Sequence, residues 1–151
     1  MSLVGRVAYH AAITCSVAAA THVGLATVHP LPPSPATPPG LRPGDHLLLL
    51  RPGLAFWWRP LATGDLVAVA PPDAPRHTPP VLLAVRRLPG QLAPQEHRPF
   101  ELVGAGRVWV EGSPAGGRDS REWGAVPLAL LEGRAAYVVW PPSRWQRVPR
   151  Q

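Results

Sequence analysis

The stretch RVWVEGSPAGGRDSREWGAVPLALLEGRAAYVVWPPSRW, residues 107–145, decides the fold of this chain. It opens with the short apolar run RVWVE and contains a second such run, AAYVVW, before its end at PPSRW, and glycine or proline lies within two residues of each end of both runs. Runs of this length between turn residues predict β-strands rather than helices. Between them, the polar residues Asp119, Ser120 and Arg121 interrupt an apolar region. They predict either a solvated loop or a polar cluster that supports a site.

The same pattern continues upstream and predicts an all-β domain. The chain has 22 prolines and 14 glycines in 151 residues, and this content argues against a mainly helical body. Gly-Asp occurs directly before two of the apolar runs, as expected of tight turns. The predicted strands are HLLLLR 46–51, LVAVA 66–70, VLLAVRR 81–87, RVWVE 107–111 and AAYVVW 135–140.

The N-terminal part has a different composition. Residues 7–28 carry no charge and are long enough to cross a hydrocarbon core of about 30 Å as a helix. A membrane anchor, an alanine-rich targeting segment and an amphipathic packing helix all fit the pattern. The lack of an evident small-residue cleavage site favours the anchor. The sequence therefore predicts an anchor or targeting segment at 1–29, a proline-rich linker at 30–45 and a β domain at 46–151.

The composition also bears on cofactors and partners. The single cysteine, Cys15, excludes an internal disulfide framework and a cysteine-based metal site. The six histidines lack the paired spacing of a zinc site, so we expect neither a metal nor a cofactor. The formal charge is +6, but all 15 basic residues are arginines that are spread along the chain without a basic run longer than the pair at 86–87. This distribution does not favour nucleic acid as a partner.

The motifs of residues 107–145 closely resemble the C-terminal part of the mitochondrial inner membrane peptidases, relatives of bacterial type I signal peptidases. Subunit 2 is the nearest match. Weaker resemblance continues upstream through residues 42–51, 62–72 and 82–91. Two positions depart from the family pattern, since Ser113 replaces an aspartate and Ala125 a proline. The matching residues are Trp109-Val110-Glu111-Gly112, Asp119-Ser120-Arg121, Gly124 with Val126-Pro127, and Trp140-Pro141-Pro142 with Arg144-Trp145.

This resemblance implies a fold, a location and a chemistry. The implied fold is a mainly β domain of the LexA/signal-peptidase type with one N-terminal helix, which we expect to be transmembrane. The implied location is the mitochondrial inner membrane, with the domain facing the intermembrane space. Family members process the sorting presequences of intermembrane-space proteins with a Ser/Lys dyad, in which a neutral lysine takes the proton of the serine hydroxyl.

The base of that dyad is missing from this sequence. The resemblance places Leu83 at the lysine position, and the chain contains no lysine. Arginine cannot replace it, because the guanidinium stays protonated at any physiological pH and cannot act as a general base. Arg86, three residues further on, would point to the opposite face of the strand. The sequence therefore predicts that hydrolytic activity has been lost.

The nucleophile position is also altered. Ser34 stands eleven residues before Asp45, close to the family spacing, but its neighbours differ from the family motif. A second register, beginning at Thr27, keeps the proline and replaces the serine. A histidine base is the remaining route to activity, and the candidates are His77 and His46, although neither position favours such a role.

The resemblance gives Asp119, Ser120 and Arg121 a supporting role. We expect a charge-assisted pair between Asp119 and Arg121, with Ser120 capping nearby backbone and the group bracing the base-bearing strand. An exposed salt bridge of little consequence is the alternative.

Three functions stay open. In the first, the chain is an inactive partner subunit that lies beside an active peptidase subunit or another inner-membrane protein and contacts presequence polypeptides. Alternatively, it is an active serine endopeptidase that uses Ser34 with a histidine, or a soluble scaffold that shares only the C-terminal motif. The tryptophans Trp57, Trp58, Trp123 and Trp145 are candidate anchors for a partner or the membrane interface.

Overall fold

The structure is a computed structural model that describes residues 3–22, 24–31, 33, 37–53, 59–75, 77–95, 98–113 and 117–151. It is mainly β, as predicted, with few helices. Single turns of 3-10 helix lie at Leu128–Leu130 and Pro142–Arg144. The elements in chain order are α1 (Leu3–His22), β1 (Ala26–Pro30), β2 (His46–Leu50), β3 (Leu66–Val69), β4 (Val81–Arg87), β5 (Leu92–Gln95), β6 (Arg98–Leu102), β7 (Arg107–Glu111), α2 (Ser120–Trp123), β8 (Val126–Pro127), β9 (Leu131–Trp140) and β10 (Gln146–Arg147).

The main sheet is antiparallel throughout its described pairings. Its strand order is β1-β2-β9-β3-β4-β7-β8, and β10 also pairs with β9. β5 and β6 form a separate two-stranded sheet. All five predicted strands are present, and β9 begins four residues earlier than expected, at Leu131. Gly133 lets β9 approach β2 closely, because a Cβ there would lie 3.0 Å from the carbonyl oxygen of Leu50.

The strand β3 explains how one sheet buries two cores. All four of its residues are buried. Leu66 and Ala68 belong to one hydrophobic cluster with residues of β2 and β9. Val67 and Val69 belong to the other, with residues of β4 and β7. Because side chains alternate along a strand, β3 supplies both faces and reads as a continuous apolar run.

The N-terminal segment is helical over Leu3–His22. Among the described residues, however, no helix is both long enough and apolar enough to cross a membrane. The expectation of a transmembrane helix is therefore not confirmed. Hydroxyl side chains at Ser16 and Thr21, which donate to carbonyl oxygens one turn earlier, dilute the apolar character of α1.

The sheet also extends beyond the predicted boundaries of the β domain. β1 falls in the predicted anchor and linker segments, yet it pairs with β2 along its whole length. Leu31 and Leu41, from the predicted linker, are buried in the first hydrophobic cluster. The division at residues 29 and 45 therefore does not separate these segments from the domain core.

Two turns of the same construction begin β2 and β3. In LRPGD, 41–45, the backbone N–H of Asp45 donates to the carbonyl of Arg42, and the Arg42 N–H donates back to Asp45 Oδ2 at 2.9 Å. In LATGD, 61–65, Asp65 and Ala62 make the same two bonds, the second at 3.0 Å. The glycine before each aspartate has a positive φ, +87° at Gly44 and +86° at Gly64. This backbone conformation favours glycine.

The aspartate of the first turn also binds the C-terminal tail. Asp45 is 1% exposed. Arg144 donates from Nε to Asp45 Oδ1 at 2.8 Å and from Nη2 to Oδ2 at 2.9 Å. Trp145, the next residue of the W-P-P-x-R-W motif, donates from Nε1 to the carbonyl of Val139. The tail motif therefore fastens the end of β9 to the beginning of β2.

The Asp45 contacts generate a stability prediction. Asp45→Ala should lower the free energy of unfolding by about 2–4 kcal/mol, because it removes the carboxylate that accepts hydrogen bonds from the Arg42 N–H and from the Arg144 guanidinium. Urea unfolding followed by circular dichroism measures the change. Glu122→Gln is the control, since the Arg118–Glu122 pair is exposed and should contribute little. Equal effects of the two substitutions would contradict this role of Asp45.

Candidate functional site

A cavity of about 330 Å³ lies between β1, the first strand of the sheet order, and β4. His29 and Leu31 line it from β1 and its continuation, and Val81, Leu82 and Leu83 line it from β4. Three strands separate β1 from β4 in the sheet, so in a flat sheet they would lie about 19 Å apart. Because one cavity touches both, the sheet curls around it. We call this cavity the groove.

Leu83 occupies the groove wall at the position that the family resemblance assigns to the base. It is 5% exposed and belongs to the cluster formed by β3, β4 and β7. A Cβ at Gly112 would lie 3.0 Å from Leu83 Cδ2, so the absence of a side chain at Gly112 makes room for Leu83. Leu83 is therefore a closely packed apolar side chain, with no group that could serve the role that the resemblance implies for this position.

Asp119 lies beside that position. It is 1% exposed, and its carboxylate accepts hydrogen bonds from the backbone N–H groups of Gly112 and Arg121, each at 2.9 Å. The Arg121 guanidinium donates to both carboxylate oxygens, with Nη2 to Oδ2 at 2.6 Å. Asp119 is also the N-cap of α2. It therefore joins the end of β7 to the start of α2.

Ser120 holds the same two elements together. It is fully buried, and its Oγ accepts a hydrogen bond from the Val110 N–H at 2.9 Å. Val110 lies on β7 opposite Val85 of β4. The described contacts of the Asp-Ser-Arg group are thus with β7, which in turn pairs with β4, the strand that carries Leu83.

The electrostatics of Asp45 and Asp119 favour the charged form. Burial alone would raise the pKa of the Asp119 carboxyl, but the hydrogen bonds from Arg121 and Gly112 outweigh it and the pKa lies below its ordinary value. The Arg144 hydrogen bonds, helped by the Arg42 N–H, lower the pKa of Asp45 against the opposing effect of burial. Both groups are therefore carboxylates at neutral pH.

The other predicted site residues fall in different places. Ser34 lies outside the described residues. His77 is exposed in a turn, and His46 Nδ1 lies 3.2 Å from the carbonyl oxygen of Gly44, in its own turn. Neither histidine lines the groove.

The structure instead places His29 in the groove, a role that sequence reasoning missed. Its Nδ1 lies 2.9 Å from the Pro30 carbonyl oxygen. A carbonyl oxygen can only accept a hydrogen bond, so Nδ1 carries the proton and Nε2 is the acceptor nitrogen of the neutral ring. Two hydroxyl residues, Thr37 and Ser113, line the same groove. The curl of the sheet brings these residues together, and no local pattern indicates it.

Two further features bear on what the site can bind. Trp57 and Trp58 lie outside the described residues, whereas Trp123 and Trp145 are half-buried and pack inward. Within the described ranges, no group of three histidine, cysteine, aspartate or glutamate side chains converges as metal ligands would.

The curled antiparallel sheet, the groove between strands β1 and β4, and the Asp-Ser-Arg group are consistent with a signal-peptidase-like β domain. No family model matches the chain. It is 36% identical over 89 residues to mitochondrial inner membrane protease subunit 2 of Danio rerio, a match that covers 56% of this chain and 47% of the relative. It is 29% identical over 116 residues to mitochondrial inner membrane protease subunit 1 of Schizosaccharomyces pombe, covering 74% and 72%.

A third relative extends the match. The chain is 29% identical over 118 residues to mitochondrial ATP-independent inner membrane protease subunit 1b of Arabidopsis thaliana, covering 71% of this chain and 66% of the relative. The match spans about half the length of the subunit 2 relatives from Danio rerio and Mus musculus. The likeness thus reaches well beyond the C-terminal motif. The chain is therefore similar over much of its length to proteins named as mitochondrial inner membrane protease subunits.

The lowered pKa of Asp119 generates a pH prediction. In the unfolded chain the carboxyl has a pKa of about 3.9, so its stabilising effect is complete above that pH and is lost as the pH falls through the lower folded value. Asp119→Asn should therefore be less stable than the wild type at pH 7, and the difference should shrink in acid. Urea unfolding at several pH values measures it. A difference that is constant with pH would contradict the assignment.

Proposed function

We propose that this chain is a non-catalytic, peptide-binding partner subunit of a protease assembly of the mitochondrial inner membrane. In this proposal its β domain faces the intermembrane space, and its partner is an active peptidase subunit or another inner-membrane protein. The ligand of the groove is an extended segment of a presequence polypeptide. The observation that carries the proposal is Leu83, an apolar side chain packed at the position where the family places its base.

The chemistry at Leu83 supports the loss of hydrolysis. A serine or threonine hydroxyl is a weak nucleophile until a neighbouring base takes its proton. The chain has no lysine, and Leu83 cannot accept a proton. Among the described residues that line the groove, Arg118 is the arginine, and a guanidinium does not give up its proton at neutral pH. Arg118, which lines the groove, is paired with Asp73 and Glu122.

The edges of the groove support peptide binding. Along Val81–Leu83, β4 pairs with β3 on one side, whereas the described pairing with β7 begins only at Ala84. On the other wall, the described pairing of β1 is with β2 alone. An extended peptide can add to such strand edges through its backbone, while the apolar walls receive alternate side chains. Binding of this kind requires no catalytic group.

An active enzyme is the second candidate, and His29 favours it. Its ring lines the groove, and the contact of Nδ1 with the Pro30 carbonyl presents Nε2 as the nitrogen that could accept a proton. We place this candidate second because His29 is on β1, on the opposite wall from the base position at Leu83. As a base, His29 would have to approach a hydroxyl from the β1 wall, whereas the family's base approaches from β4.

Peptide binding can be tested with one groove substitution and a matched control. Pro80 lines the groove directly before β4, whereas Pro72 is exposed and lies outside the groove. Pro80→Asp should weaken binding of a fluorescent presequence peptide about five- to tenfold, because it introduces a charge into an apolar contact. Pro72→Asp should bind as the wild type does. Fluorescence anisotropy gives the dissociation constants, and circular dichroism confirms folding.

Two results would contradict the peptide-binding proposal. One is an absence of saturable binding by the folded wild-type chain. The other is an equal loss of affinity in the Pro80 and Pro72 variants, which would mean that the peptide contacts the surface at large and not the groove.

A further inference from the structure

A second cavity, of about 310 Å³, lies where β9 meets β3 and β10. It shares no lining residue with the groove. Four arginines line it: Arg59, Arg134, Arg147 and Arg150. Among the described residues, Asp65 is the only acidic side chain in its wall. We call it the arginine cavity.

One carboxylate serves three of these guanidinium groups. Asp65 Oδ1 lies 2.7 Å from Arg59 Nη2 and 3.4 Å from Arg150 Nε, and Oδ2 lies 3.7 Å from Arg134 Nη1. Arg147 instead lies over the ring of Tyr137, with its Cζ 5.8 Å from the ring centroid. Four guanidinium groups and one carboxylate leave an excess of three positive charges in the described wall.

Burial raises the free-energy cost of this excess positive charge. Arg134 is 4% exposed and donates from Nη1 to the Arg59 carbonyl oxygen at 2.8 Å. Burial, and then the like charges of Arg59 and Arg150, lower its pKa against the attraction of Asp65. The arginines at the rim are more exposed than Arg134 at the floor. An anion in this cavity would offset the like charges of the arginines that line it.

An apolar cavity adjoins the arginine cavity. It has a volume of about 670 Å³ and lies between α1 and the strands β9 and β10. Apolar residues such as Val17, Leu48 and Trp145 line it. Tyr137 and Arg147 line both cavities, so a charged compartment and an apolar compartment share one wall.

We propose that the two cavities together bind an anionic phospholipid, with the phosphate among the arginines and an acyl chain in the apolar cavity. A phosphate matches the arginine forks, which bind its oxygens in pairs, and it has more acceptor oxygens than a carboxylate. The adjoining apolar cavity distinguishes a lipid from a soluble phosphate compound, because an acyl chain gains free energy for each buried methylene. A zwitterionic headgroup fits less well, since its cation would face the arginines.

The test uses the full chain and vesicles of defined composition. Wild-type protein should bind phosphatidylcholine vesicles that contain about 30% phosphatidic acid more tightly than pure phosphatidylcholine vesicles. Arg147→Gln with Arg150→Gln, both at exposed positions, should weaken the binding roughly 25-fold, about fivefold for each arginine. Arg51→Gln, with an exposed arginine outside the cavity, should change it little. Flotation in a density gradient measures binding.

A second arm separates a lipid from a soluble phosphate compound. Val17→Glu places a charge in the apolar cavity, so it should weaken vesicle binding without affecting binding of inorganic phosphate, measured by calorimetry. Tight phosphate binding that depends on Arg147 and Arg150, with no preference for anionic vesicles, would overturn the lipid assignment. Equal losses for Arg51→Gln and the double variant would overturn the site itself, because diffuse surface charge would then explain the binding.

Discussion

Three buried carboxylates hold this fold together. Asp45 and Asp119 are each 1% exposed and Asp65 is 4% exposed. Each accepts at least one backbone N–H and at least one arginine side chain. A buried carboxylate is costly unless such partners surround it. Each aspartate therefore fixes the backbone around it, at the start of β2, at the start of β3 and at the end of β7.

The described hydrogen bonds that support the groove do not involve any group that would carry out chemistry there. Asp119 and Ser120 bind the backbone of β7 through their own hydrogen bonds, and β7 orders β4 by strand pairing. None of these contacts requires an amine at residue 83. Leu83 fills its position with apolar contacts, and Gly112 gives it space. Packing and backbone hydrogen bonds among the described residues therefore determine the walls of the groove.

The sequence predicts the strands that bury continuous apolar runs, such as β3 and β4, because local pattern alone identifies them. It also predicts the Asp119–Arg121 pair, whose members are two residues apart. It does not reveal β1, whose five residues include His29 and Pro30, or the hairpin of β5 and β6, whose strands contain proline. The bond between Asp45 and Arg144 joins residues 99 positions apart, and only the tertiary fold shows it. The same holds for His29 in the groove.

The central proposal is that the groove binds peptide without activating a hydroxyl, and acylation tests it most directly. An activated peptide ester acylates an activated serine or threonine even when peptide cleavage is slow. The protein is mixed with excess ester between about pH 6 and pH 9, where a general base would titrate, and its intact mass is measured. We predict an unmodified mass at every pH. A single acyl adduct that maps to a hydroxyl of the groove and is lost in His29→Gln would contradict the account.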